Sequence, residues 1–181
     1  MINKETEYKY MIYVLPNLND SKKYKIKQSY FEKNEKTINI ITNIFKNQIS
    51  EETLNSINTF RIREIETDKT RYVLTLKTKG LNTRMEYEEE VSPEIGEYLK
   101  KISYKTIIKN RYVIFYETYK FEFDEYLNLC EPLLTVEVET EINKDNKENI
   151  ERILKKHFKL EFKDITNEKK YKNKYLITKE K

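Results

Sequence analysis

Charged residues in this sequence recur two apart, and most of these sets keep to one sign. Glu5 and Glu7 precede Lys9. Arg61 and Arg63 flank Ile62, and Lys77 follows Leu74 and Leu76. Arg84 leads Glu86 and Glu88 around Met85 and Tyr87. Lys109 and Arg111 flank Asn110, Glu122 and Asp124 flank Phe123, and Glu137 and Glu139 flank Val138. A spacing of two puts each set on one face of a strand. Like charges so placed repel. They are tolerated on a solvated face, or where acidic and basic faces meet around a ligand and a metal. The second arrangement is that of a polyanion site. Arg and Lys hold phosphate oxygens, Arg in bidentate fashion. Carboxylates with water hold Mg²⁺, or Mn²⁺ in its place. A cation-oriented water can then attack phosphorus while the basic residues stabilise the developing charge.

Composition narrows the classes. About a third of the 181 residues are charged, yet the net charge is only +4. Arrangement of charge therefore carries more than its sum, and nucleic acid is not indicated by charge alone. Gly80 and Gly96 are the two glycines. A P-loop or dinucleotide fingerprint is thus excluded, and phosphate must be held by side chains. Cys130 has no partner cysteine, which fits a reducing compartment. No apolar signal core follows Met1, and no apolar run has the length of a membrane span. The expectation is one soluble cytoplasmic domain over residues 1–181, monomer or homodimer, with no membrane partner.

Period-two alternation predicts eight strands: Glu5–Tyr13, Tyr24–Tyr30, Phe60–Ile65, Tyr72–Lys77, Arg84–Val91, Ile107–Tyr116, Tyr119–Asp124 and Leu133–Glu141. Turn signals include Leu15 to Asp20, Thr78 to Asn82 and Asn128 to Pro132. Ser92 followed by Pro93 predicts a capped helix to about Ile102. Asp145 or Asn146 would cap a second, Lys147–Phe158, with Ile150, Ile153, Leu154 and Phe158 on one face. Thr37 to Ser56 fits either a helix or a strand. The class is mainly β (α+β), a barrel or strongly curved antiparallel sheet with helices packed outside.

With these residues in view, the chain resembles the CYTH family, the triphosphate tunnel metalloenzymes. Glu5-Thr6-Glu7-Tyr8-Lys9 is similar to their N-terminal Glu-x-Glu-x-Lys signature. Ile26-Lys27-Gln28-Ser29-Tyr30, Arg61-Ile62-Arg63, Leu74-Thr75-Leu76-Lys77 and Arg84-Met85-Glu86-Tyr87-Glu88 follow in family order. So do Lys109-Asn110-Arg111-Tyr112, Phe121-Glu122-Phe123-Asp124 and Val136-Glu137-Val138-Glu139, with Ile165-Thr166 and Tyr171-Lys172-Asn173 resembling the bacterial tail. The likeness covers nearly the whole chain. It departs in the long stretch between Tyr30 and Arg61 and in Tyr8, where many members carry Arg. It implies an eight-stranded closed antiparallel barrel around a charged tunnel, and Mg²⁺-dependent hydrolysis of a triphosphate.

On this resemblance Glu5, Glu7, Glu137 and Glu139 would bind metal, helped by Glu122 or Asp124. Arg61, Arg63, Lys77, Arg84, Lys109 and Arg111 would hold the triphosphate. Lys9 would bind phosphate, orient the water, or simply neutralise its neighbouring glutamates. Glu86 and Glu88 would ligate metal, activate water or pair with the basic residues. Tyr30 and Lys77 resemble a tyrosine and lysine of thiamine triphosphatases, although a hydrogen-bonded structural tyrosine is the plainer reading of Tyr30. His157 is expected to lie on the helix surface or to pack, and Cys130 has no expected role. Inorganic triphosphate is the leading substrate. An RNA 5′ end, with the lysines near Lys170 as a basic rim, a nucleoside or thiamine triphosphate, adenylate cyclisation, and a non-catalytic polyphosphate-binding module are the alternatives.

Overall fold

A computed structural model describes residues 2–79, 83–140 and 147–179, without the side chains of 2–6, 47, 83 and 84. Several expectations fall outside these residues: the turn at Gly80-Leu81-Asn82, the last strand's end at Glu141, the caps Asp145 and Asn146, and the side chains of Glu5 and Arg84. Among the described residues the protein is mainly β, with nine strands in one antiparallel sheet and four α-helices. The strands are β1 (Ile2–Ile12), β2 (Lys22–Tyr30), β3 (Ile57–Glu66), β4 (Thr70–Thr78), β5 (Thr83–Val91), β6 (Lys105–Tyr116), β7 (Tyr119–Tyr126), β8 (Leu134–Thr140) and β9 (Phe162–Asp164). The helices are α1 (Glu35–Phe45), α2 (Glu51–Ser56), α3 (Pro93–Lys101) and α4 (Lys147–Lys156). No helix of the described residues is long and apolar enough to cross a membrane.

The chain forms two compact units: Met1–Lys4 with Ile26–Ile107, and Glu5–Lys25 with Ile108–Lys181. In the first, β3, β4 and β5 form a meander in which Ile62 faces Leu74 and Leu76 faces Tyr87. Their apolar face carries Phe60, Ile62, Leu74, Leu76 and Tyr87, and it packs with Ile41 and Phe45 of α1 and Leu99 of α3. Ser92 caps α3 by accepting from the Ile95 amide. Gly96 brings that helix onto β4, since a Cβ there would lie 2.2 Å from the Tyr72 ring.

The ambiguous stretch is helical. Asn34 accepts from the Thr37 amide at 3.0 Å while the Thr37 hydroxyl accepts from the Asn34 amide at 2.9 Å, a reciprocal cap. Thr37, Ile41 and Phe45 are then buried at intervals of four, so the helical spacing prevails over the Ile38/Ile40 alternation.

In the second unit, β6, β7, β8 and β1 pair in that order and β9 adds three residues beside β1. Tyr10, Ile12, Phe121, Phe123, Val136 and Val138 form one apolar face, covered by Ile150, Ile153 and Leu154 of α4. Burying each large apolar side chain stabilises the fold by about 2 kcal/mol. His157 stacks on Tyr116 with ring centroids 3.7 Å apart, a packing role as expected.

Candidate functional site

Each unit turns its alternate residues into a face of charge. In the first unit the ladder sets Arg61 opposite Thr75, Thr75 opposite Glu88, and Lys77 opposite Glu86. Arg61 reaches Glu86 at 3.2 Å and Glu88 at 3.6 Å. Arg63 pairs with Glu88, Lys77 with Glu86 at 2.5 Å, and the Thr75 hydroxyl donates to Glu88 at 2.9 Å. Burial pushes the Glu86 carboxyl up, but the Lys77 and Arg61 charges outweigh it and hold the group at about 2. Arg61 Nε is buried without a hydrogen-bond partner. A buried guanidinium N–H left unmade is costly, and this one is suited to an incoming anion oxygen.

Gln28 belongs to this face, though its uncharged side chain is invisible to the charge pattern. Its Oε1 accepts from Arg61 at 3.4 Å and its Nε2 donates to the Tyr30 hydroxyl at 2.5 Å. Since Arg61 can only donate, the amide orientation is fixed. Tyr30 is thus a buried tyrosine, hydrogen-bonded to the same Gln28 side chain that meets Arg61.

In the second unit Arg111 is the hub. Its Nε donates to Asp124 Oδ1 at 2.7 Å and its Nη2 to Asp124 Oδ2 and Glu137 Oε2, both at 2.6 Å, and it also pairs with Glu122. Lys109, almost wholly buried, meets Asp124 at 2.5 Å. Lys9 meets Glu137 at 2.8 Å. Lys120, absent from the expected set, meets Glu122 at 2.5 Å and Glu139 at 3.2 Å. Glu7 lies in register with Glu139, and Lys9 with Glu137. Burial tends to raise Glu137, yet Lys9, Lys109 and Arg111 hold it well below the ordinary carboxylate range. Burial and the Arg111 charge bring Lys109 down to about 8 against the pull of Asp124 and Glu137.

The structure thus gathers Arg61, Arg63, Lys77, Glu86, Glu88 and Tyr30 in one unit. It gathers Lys9, Lys109, Arg111, Glu122, Asp124, Glu137 and the register pair Glu7 and Glu139 in the other. Residues missed by charge pattern are Gln28, Tyr126, Asn173 and Thr135. Thr135 is fully buried with an unpartnered hydroxyl, opposite Asp124. Cys130 is exposed, and its amide donates to the Ile177 carbonyl.

The oxygen donors suit a hard divalent cation. Glu7, Glu122, Asp124, Glu137 and Glu139 outnumber Lys9, Lys109, Arg111 and Lys120 by one. A divalent ion would offset that surplus of negative charge. Among the described residues, however, no three acidic, His or Cys side chains already stand close enough to ligate one ion.

Solved structures share this architecture. A hypothetical protein designated NE1496 is 22% identical, covering 94% of this chain and 95% of its own, with a TM-score of 0.57. HpAC1 from Hippeastrum, described as a candidate adenylyl cyclase with a dominant triphosphatase activity, is 15% identical over 88% of this chain and 90% of its own, at 0.59. A candidate adenylate cyclase of Bacillus halodurans is 17% identical over 85% and 89%, at 0.54. The chain has the CYTH-like fold. No family model matches this chain, and no curated protein matches its sequence.

Proposed function

We propose that the protein is a metal-dependent triphosphatase, cleaving inorganic triphosphate to diphosphate and phosphate. One observation carries this reading: each strand meander presents buried arginine and lysine among carboxylates on one of its own faces, and Arg61 Nε is buried without a hydrogen-bond partner. The triphosphatase activity described for HpAC1 agrees with it. The closed eight-stranded tunnel of the resemblance belongs to the same proposal, as does a soluble cytoplasmic setting.

In this reading Arg61, Arg63 and Lys77 exchange part of their hold on Glu86 and Glu88 for phosphate oxygens. Arg84, Lys109 and Arg111 complete the cationic set. Glu7, Glu137 and Glu139, with Glu5 two residues before Glu7, would hold Mg²⁺ or Mn²⁺; Glu122 and Asp124 steady Arg111, which faces them. The bound ion supplies a polarised water and neutralises phosphate charge. Lys9 and Arg111 stabilise charge that develops on the transferred phosphoryl group.

The test incubates purified protein with tripolyphosphate, thiamine triphosphate, ATP and 5′-triphosphorylated RNA, each with Mg²⁺ or Mn²⁺. Phosphate release from tripolyphosphate well above that from ATP is the expected result. Cyclic AMP and diphosphate from ATP, preferential cleavage of RNA ends, or binding without turnover would each replace the proposal by a named alternative.

A further inference from the structure

The Lys9 ammonium has three N–H donors, and all three have acceptors in the second unit. Glu137 lies at 2.8 Å, the Tyr126 hydroxyl at 3.3 Å and Asn173 Oδ1 at 3.3 Å. The Tyr126 hydroxyl also donates to Asn173 Oδ1 at 2.6 Å. Lys9 cannot accept, so it is the amide oxygen of Asn173, not its nitrogen, that faces the cluster. A neutral carbonyl oxygen thus sits against a buried ammonium on the charged face.

Asn173 arrives on a strap tied at both ends. At the near end the Lys9 amide donates to the Thr166 hydroxyl at 3.0 Å, and the Ile165 amide donates to the Lys9 carbonyl at 2.9 Å. At the far end the Cys130 amide donates to the Ile177 carbonyl at 3.1 Å, and the Lys179 amide to Asn128 at 2.9 Å. The span between holds two short 3₁₀ turns, Lys169–Tyr171 and Asn173–Tyr175, with no buried residue in either. Tyr126 belongs to β7 and Glu137 to β8, so both are fixed by sheet pairing. Of the three acceptors on Lys9, only Asn173 is carried by backbone outside the strand ladders.

The geometry points to Asn173 as a placeholder that occupies the position of a phosphate oxygen on Lys9 and sets substrate affinity by competing for it. This rests on the proposed role of Lys9 in holding phosphate. Binding moves one N–H of Lys9 from the amide oxygen to the substrate, and the middle of the strap bows outward while its two ties hold. No covalent step is involved.

Two readouts test it. First, KM and kcat for tripolyphosphate with Mg²⁺ are measured for the wild type, Asn173→Ala and Asn173→Asp. Removing the competitor lowers KM about fivefold, and a carboxylate in its place raises KM about fivefold, each exceeding the change in kcat. A packing role alone would move both variants the same way. Second, amide exchange over residues 172–176 is followed as tripolyphosphate is added to the wild type, and it rises. Matching shifts in the two variants, or exchange that does not change, overturns the placeholder even if hydrolysis is normal. Loss of turnover on every substrate together with rising exchange would instead remove the proposed hydrolysis and keep the placeholder.

Discussion

The two units solve one problem, keeping charge on a buried sheet face, with opposite surpluses. In the first, Arg61, Arg63 and Lys77 exceed Glu86 and Glu88, and the buried Arg61 Nε has no hydrogen-bond partner. In the second, carboxylates exceed cations, and a single arginine binds three of them. Desolvating so many charges is expensive unless every one is paired and hydrogen-bonded. The first arrangement retains capacity for an anion and the second for a cation.

Removing the hub of the second unit should therefore do the most damage. Arg111→Met leaves Asp124, Glu122 and Glu137 buried with fewer partners. Breaking a buried ionic network from one side costs about 4 kcal/mol. Urea unfolding should show a loss of that size, together with loss of tripolyphosphate turnover. Arg63→Met, which breaks a pairing with the partly exposed Glu88, should cost markedly less stability. Equal losses would erase the distinction between a hub and a cradle.

Glu86→Gln comes next and reads the first unit by pH. The Glu86 carboxyl is held at about 2 from an ordinary value of 4.5. A depressed carboxylate stabilises the fold fully above the ordinary value, and that contribution disappears as pH falls from 4.5 toward 2. The shift corresponds to about 3 kcal/mol. Wild-type stability should drop through that window, and Glu86→Gln should start lower and show a shallower drop. An unchanged slope would mean that the Lys77 and Arg61 contacts do not govern this carboxyl.

How much of this could be read in advance depends on the kind of signal. Period-two alternation is regular over eight strands, so their centres were legible, as was the division into charged and apolar faces. The three residues of β9 are too few to show a period, and β7 runs to Tyr126, two residues past the expected end at Asp124. Those two residues hide a member of the charged face. Neutral members such as Gln28, Tyr126 and Asn173 carry no sign to sort by, and Asn173 joins Lys9 only through a contact 164 residues away. The α1 segment was ambiguous because isoleucines satisfied both periods. Asn34 and Thr37, three apart, were the deciding cap signal.

A smaller effect separates the helical coverings of the units. Gly96→Ala adds a methyl group where Tyr72 already stands. The gain in helix propensity, about 1 kcal/mol, is outweighed by overpacking, for a net loss near 2 kcal/mol. Thermal unfolding should report it without a change in KM, because the contact lies on the apolar face of the first unit.

The smallest effect is on the alkaline side and belongs to the second unit. Lys109 has a folded value of about 8 against an ordinary 10.5. Between these values the unfolded chain binds a proton that the folded protein has released. Stability from this group therefore rises as pH climbs from 8 toward 10.5, the reverse of the Glu86 trend on the acid side. Lys9 does not mask it, because its charge is held above the ordinary range by Glu137, Tyr126 and Glu7 against the cost of burial. Lys109→Met should abolish the rise, about 1 kcal/mol by pH 9, when stability is measured by urea unfolding at pH 8 and 9. If the variant kept the slope, Asp124 would be holding Lys109 charged throughout. The two clusters would then not differ in which end of the pH scale they feel.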